Sequence, residues 1–262
     1  MIVVKFGGHA MKDENGSFAK AIAATLQAGE QVVVVHGGGP QIDAALQAKG
    51  IVSTWLGGFR VTTKEIFDVV EDVLVNQVGT EVAVTLSKAG IKVQAMSART
   101  LPTVIANRRT QLIDGTPADL GFVGNVQKVN PATLLELLNQ GIVPVVAPVS
   151  SDEDMKTGLN VNADFAAAAI AASLEASALI VMTDVAGIYR NWPDKSSLIA
   201  SISALELESI KSGFAEGMAP KVQAALDALS FGAKAVRIID GTNPDSFAAA
   251  LAGTGGTLVV HD

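Results

Sequence analysis

Val32-Val33-Val34-Val35-His36-Gly37-Gly38-Gly39-Pro40-Gln41-Ile42-Asp43 is the stretch on which the fold turns. Four successive valines read as a strand buried on both faces, the mark of a central parallel sheet. Pro40 then opens a helical run through Ala48, a position where its missing N–H costs little. A strand that passes through glycines into a helix leaves backbone N–H groups bare at the sheet's carboxyl edge, where they attract anions. A tight turn without a ligand would use the same residues. The glycines match neither GxGxxG nor GxxxxGK[ST], so a dinucleotide fingerprint and a Walker loop are both unsupported.

The alternation of strand and helix extends from there in both directions. Ile2 to Phe6 is a short strand followed by Gly7-Gly8, and Ser17 is expected to cap a helix reaching Ala28. Lys64 to Ser87 reads as two helical stretches separated near Gly79. The first carries Ile66, Val69, Val70, Val73 and Leu74 at helical spacing, which suits either core or a subunit contact. Two segments break the alternation. Ile51 to Thr63 reads as a hairpin or lid carrying Arg60, and Leu101 to Val129 as a β excursion with a turn at Asp114-Gly115. Ile142 to Ala147, Ala178 to Thr183, Lys234 to Asp240 and Thr257 to His261 read as further strands. The fold class that results is α/β, a three-layer α/β/α sandwich around a mainly parallel central sheet, with ligands expected at the carboxyl ends of its strands. The natural division falls ahead of the strand at Ala178, giving lobes of residues 1–176 and 177–262.

Composition narrows the function. With 262 residues, 49% of them hydrophobic, the chain can bury a sizeable core. It contains no cysteine, which excludes disulfides and thiolate metal sites. A net charge of −7 without any basic run speaks against nucleic acid. The chain opens directly on a strand, with no charged leader before a long apolar run, and Phe165 to Leu174 is about half the length a bilayer requires. A soluble cytoplasmic protein without a membrane or nucleic-acid partner is the expectation.

Several residues ask for a chemical reason. Lys5 at the end of a buried strand is expensive unless its charge has a partner, although it could also snorkel to water. Arg60, between glycines and β-branched residues, has the fork geometry that suits a carboxylate, yet a lone arginine is equally at home as a solvated charge. Asn160, Asn162 and Asp164 precede an alanine-rich helix where one cap would suffice. Lys221 in a first helical turn opposes the helix dipole unless an anion sits there. Asp184, delivered by a strand into a glycine turn, could cradle a nucleotide. Two lysines, glycine loops and carboxylates without cysteine suggest phosphoryl transfer, in which a protein mainly positions groups and neutralises charge. No obvious base is present, which favours a carboxylate acceptor, already ionised at neutral pH, and hence an acyl phosphate product.

Taken in order, Lys5-Phe-Gly-Gly8, His36-Gly-Gly-Gly39, Gly58-Phe-Arg60-Val-Thr62, Asn160-Val-Asn-Ala-Asp164, Thr183-Asp-Val-Ala-Gly-Ile-Tyr189 and Gly217-Met-Ala-Pro-Lys221 resemble the amino acid kinase superfamily and, within it, the acetylglutamate kinase family. The resemblance covers nearly the whole chain. It implies transfer of the γ-phosphate of ATP, with Mg2+ carried on the nucleotide phosphates rather than by a protein metal site, to the side-chain carboxylate of N-acetyl-L-glutamate. Lys5 would stabilise the phosphoryl group in flight, Lys221 the leaving nucleotide, and Asp164 would hold both ammonium groups. Gly38, Gly39 and Gly8 would grip substrate and phosphoryl oxygens, while Arg60, Asn160 and Asn162 would bind the acceptor. Thr183, Asp184, Val185, Gly187, Ile188, Tyr189, Gly213, Phe214 and Ala215 would form the nucleotide site. The first lobe would then hold the acyl amino acid and the second ATP. Kinases of carrier-linked aminoadipate or glutamate are the nearest competing reading, and a non-catalytic nucleotide-binding regulator is one of a different class. A homodimer is the implied assembly. The strand starting at Ile2 and the absence of histidine after Asp240-Gly241 lead us to expect insensitivity to arginine.

Overall fold

The computed structural model describes residues 1–7, 16–214, 217–243 and 245–262. In chain order the elements begin with β1 (Ile2–Phe6), α1 (Ser17–Gln27), β2 (Val32–His36), α2 (Gly39–Ala48), β3 (Trp55–Leu56), β4 (Phe59–Arg60), α3 (Lys64–Asp72), α4 (Gly79–Lys88), β5 (Val93–Ser97), β6 (Val104–Arg108) and β7 (Val123–Val129). They continue with α5 (Ala132–Asn139), β8 (Val143–Ala147), β9 (Val149–Ser151), β10 (Gly158–Val161), α6 (Ala163–Ser173), β11 (Ala178–Thr183), β12 (Ser201–Ser203), α7 (Ala204–Ile210), α8 (Ala219–Ser230), β13 (Ala235–Asp240), α9 (Ser246–Leu251) and β14 (Thr257–Val260).

Eight strands form one sheet in the order β12-β14-β13-β11-β1-β2-β8-β5. Every neighbouring pair is parallel except β13 with β14. The valine run explains the centre. All five residues of β2 are buried, and successive ones feed opposite layers. Val33 and Val35 pack with α5, α6 and α8, whereas Val34 packs with α1, α2, α3 and α4. That alternation is the period-2 geometry of a strand covered on both faces. The sandwich is therefore the one expected from sequence. The boundary at 176/177 falls within an uninterrupted sheet, since Ile2 of β1 pairs with Ala178 of β11.

Two excursions leave the sheet. β3 and β4 form a two-stranded antiparallel hairpin, and β10-β7-β6-β9 close a small barrel. Two local expectations need correction. The segment from Lys64 to Lys88 does not break at Gly79, because a π-helical turn, Val73–Val78, carries α3 directly into α4. Its apolar stripe, Ile66 through Leu74, is spent within the chain's own core. Ser17 does not cap α1 with its side chain; Gly16, in the left-handed region, takes the cap position. Glycine is the residue for which that conformation is cheap.

Candidate active site

The expected residues gather where the chain reverses its direction of winding, at the carboxyl ends of β1, β2 and β11. β1 delivers Lys5, and the backbone then passes directly over it: a Cβ on Gly7 would lie 2.9 Å from Lys5 Nζ. β2 runs into Gly37, Gly38 and Gly39, which start α2 without any side-chain cap. Gly38 must lack a side chain for a packing reason. A Cβ there would sit 2.6 Å from Leu74 Cδ2, on the π-helical turn. His36, at the end of β2, is completely buried, with its Nδ1 2.9 Å from the Gly37 carbonyl. Burial pushes its pKa down from 6.5 to about 4.

Asp164 is the centre. It lies in the first turn of α6, whose cap is Asn162, the side-chain oxygen accepting from the Asp164 N–H at 2.8 Å. One carboxylate oxygen faces Lys5 Nζ at 3.2 Å, and the other faces Lys221 Nζ, also at 3.2 Å. Only the Lys221 contact has hydrogen-bond geometry; Oδ1 is left with an ion pair and no hydrogen bond. Asp164 is 3% exposed and Lys5 7%. Burial by itself opposes ionisation of Asp164, but Lys221 and Lys5 together outweigh it and bring the carboxyl down to about 2. Burial holds the Lys5 ammonium below its ordinary 10.5, with Asp164 pulling the other way. Asp164 raises the pKa of Lys221. Lys221 stands in the first turn of α8, which, like α2, starts without a side-chain cap.

Two cavities meet at these ammonium groups. The larger, about 1050 Å³, includes Thr183, Asp184, Val185, Tyr189, Gly213 and Phe214 in its wall. The smaller, about 500 Å³, includes Gly38, Gly39, Arg60, Asn160, Asn162 and Asp164. Lys5, Gly217 and Lys221 belong to both. Gly187 and Ile188 do not line the first cavity. Ile188 is fully buried, its N–H donating to Thr257 Oγ1 at 2.8 Å, and a Cβ on Gly187 would lie 2.5 Å from the same oxygen. Gly8 and Ala215 lie outside the described residues.

Arg60 is buried and fixed in place rather than a surface charge. Its Nη1 donates to Asp43 Oδ1 at 2.6 Å and to Ser53 Oγ at 2.7 Å, and Trp55 stacks on the guanidinium at 4.6 Å. Its Nη2 is buried without a partner. A planar fork with one face pinned and one nitrogen free suits a carboxylate arriving from the cavity. Asn160, on β10, donates to Thr62 Oγ1 at 3.1 Å. The neighbour of Arg60, Phe59, stacks with Phe165 of α6, and Arg109 from the barrel's edge lies over both rings at 4.3 and 5.3 Å. Both excursions are thereby clamped to the helix that carries Asp164. Asp43, Ser53 and Trp55 were not legible from sequence as parts of this site. Trp55 gave a faint signal, since the chain has only two tryptophans.

Two cavities that share Lys5 and Lys221, the lysines paired on the buried Asp164, make a site suited to phosphoryl transfer. The chain belongs to the amino acid kinase family, whose model matches residues 1–240. It is 44% identical to an acetylglutamate kinase of Nocardia farcinica, over 93% of this chain and 81% of that one. Among solved structures, smu.665 from Streptococcus mutans superposes with a TM-score of 0.84 at 29% identity, covering 100% of this chain and 98% of that one. An N-acetylglutamate synthase from Neisseria gonorrhoeae, complexed with coenzyme A and N-acetyl-glutamate, gives 0.84 at 25% identity, over 100% of this chain and 59% of the synthase. Among the described residues no helix is long and apolar enough to cross a membrane.

Proposed function

We propose that the chain transfers the γ-phosphate of ATP to the side-chain carboxylate of N-acetyl-L-glutamate, releasing ADP and an acyl phosphate. The observation that carries this reading is Asp164, buried between Lys5 and Lys221 at 3.2 Å from each, where the two cavities meet. The acceptor identity is supported by kinship to acetylglutamate kinases at 44% identity.

The smaller cavity takes the acceptor. The free Nη2 of Arg60 pairs with its α-carboxylate, and Asn160 and Asn162 fix it further. The N–H groups at Gly38 and Gly39 hold the reacting carboxylate, with Gly8 assigned the same part by the family pattern. The larger cavity takes ATP, its base and ribose among Thr183, Asp184, Val185, Tyr189, Gly213 and Phe214, with Gly187, Ile188 and Ala215 assigned to the same site by the family pattern. Lys5 stands in both cavities, placed to neutralise the phosphoryl group as it crosses. Lys221 neutralises charge on the departing diphosphate. Asp164 keeps both ammonium groups aimed and protonated. The attacking carboxylate is ionised at neutral pH, so no residue needs to remove a proton. Among the described residues no three His, Asp or Glu side chains could cage a metal. Mg2+ fits this site as an ion carried on the phosphates with Asp184 within reach of the cavity, supplying further charge neutralisation. The reading also includes a cytoplasmic homodimer, in which the contact would use a face other than the buried stripe of α3.

ADP release from MgATP, measured with N-acetyl-L-glutamate, glutamate, acetylaspartate or no acceptor, with hydroxylamine present to trap acyl phosphate, tests the proposal. Acetylglutamate-dependent ADP with stoichiometric hydroxamate is expected. Equal ADP release with every acceptor, or none with acetylglutamate, overturns it.

A further inference from the structure

The loop after β11 presents an aromatic ring to the larger cavity that the family pattern does not account for. Trp192 is 61% exposed and lines that cavity. Apart from Trp55, the other exposed large apolar side chains, Val52, Leu205 and Phe231 among them, line neither of the two cavities. The chain has two tryptophans and one tyrosine, and all three stand in the walls of these cavities: Trp55 in the smaller, Tyr189 and Trp192 in the larger. An indole left in water forgoes the burial that normally makes tryptophan useful.

Its position is set by structure. Tyr189 meets the indole edge-on, ring centroids 5.3 Å apart and planes at 62°. The loop between them and Leu198 is braced. The Arg190 N–H donates to the Ser197 carbonyl at 2.9 Å, the Asn191 N–H to Ser197 Oγ at 3.0 Å, and the Asp194 N–H to the Asn191 carbonyl at 2.8 Å. Tyr189 itself bridges to Leu198. The same cavity holds Lys5 and Lys221, groups for anionic oxygens, and Tyr189, Trp192 and Phe214, groups for a flat ring. A nucleotide has both kinds of surface.

We propose that Trp192 is the platform on which the base of the bound nucleotide stacks, with Tyr189 holding the indole in place. The proposal rests on the larger cavity being the nucleotide site. Base–aromatic stacking needs only a π face, so a phenylalanine should serve nearly as well and an alanine should not.

Calorimetric titration of the full chain with ATP and with inorganic tripolyphosphate, which has no base, tests it in wild type, Trp192→Ala and Trp192→Phe. The alanine variant is expected to bind ATP about tenfold more weakly. The phenylalanine variant should stay within about threefold of wild type, and tripolyphosphate affinity should not change. Unaltered ATP binding in Trp192→Ala, or an equal loss for tripolyphosphate, overturns the stacking role while leaving the nucleotide cavity standing. Wild type that binds no ATP overturns both.

Discussion

His36 should make the protein lose stability in mildly acidic solution, well before its carboxylates are protonated. The imidazole is completely buried at the end of β2, with Nδ1–H donating to the Gly37 carbonyl and Nε2 without a hydrogen-bond partner. Burial brings its pKa from 6.5 to about 4. The unfolded chain therefore binds a proton between about pH 6.5 and 4 that the folded chain refuses, and stability falls as pH drops through that window. Taking the two values at face value, the loss is about 2 kcal/mol at pH 5 and approaches about 3 kcal/mol below the folded pKa. Asp164 contributes in a different window. Its carboxyl, brought down to about 2, gives stability that is present above its ordinary 3.8 and is lost only as pH falls through 2. Urea unfolding at pH 7.5 and pH 5 separates the two. A drop of roughly 2 kcal/mol is expected for wild type, a shift of about 0.5–1 M in midpoint. His36→Asn, which can keep a donor near the Gly37 carbonyl, should start less stable and lose much less on acidification. An equal drop in that variant would refute the reasoning. Should the variant fail to fold, the imidazole proton signal of wild type decides instead: an ordinary titration near pH 6.5 at His36 sinks the prediction.

Asp164→Asn should lower kcat by about 10²–10³ with smaller changes in KM, because Lys5 and Lys221 lose the anion that orients them. Its activity should also fail at a lower alkaline pH than wild type, since Asp164 raises the Lys221 ammonium pKa and opposes the fall that burial imposes on Lys5. Steady-state rates from pH 6.5 to 9.5 check both. Arg60→Ala should raise the acceptor KM by roughly 10–100-fold, the equivalent of a lost charged hydrogen bond or two, and leave the KM for ATP within a few-fold. Gly38→Ala should destabilise by about 1–3 kcal/mol, because the new methyl would meet Leu74 Cδ2 at 2.6 Å. A double-mutant cycle locates the strain: Gly38→Ala should cost less in a Leu74→Ala background than in wild type, and an equal cost in thermal unfolding would place the strain elsewhere.

The sheet was legible because a strand covered on both faces has a signature that survives without context. Val32 to Val35 could hardly be anything else, and the glycines after them fix where the sheet's working edge lies. Local ends were less legible. Ser17 has the right chemistry for a cap, but Gly16 supplies the left-handed turn, so the helix starts one residue earlier than a Ser17 cap would have it. Gly79 looked like a break. It adopts ordinary helical dihedrals, and its missing side chain instead makes room for the ring of His36, which a Cβ would approach to 3.1 Å. The lysines, Asp164 and Arg60 stood out because each was costly where the sequence put it. Asp43 and Ser53 were invisible, and Trp55 nearly so, for the opposite reason: none shows its role until the hairpin folds over α2 and brings them to one guanidinium.

The charge balance at the junction also limits what can cross it. Two ammonium groups share one buried carboxylate, with Asp184 adding a weaker attraction to both. Burial already works against Lys5, and the neighbouring Lys221 ammonium lowers its proton affinity further. Such a cluster is most comfortable when a further anion lies against it, because an excess positive charge away from water is poorly solvated. The chain as a whole carries −7, so this local excess is set against the overall charge. A neutral acceptor would leave the excess in place. In the proposed reaction a carboxylate on one side and a polyphosphate on the other would remove it, and the removal would be greatest while the phosphoryl group lies between them. The arrangement that is least stable empty is for that reason the one that favours the transferring group over either resting ligand.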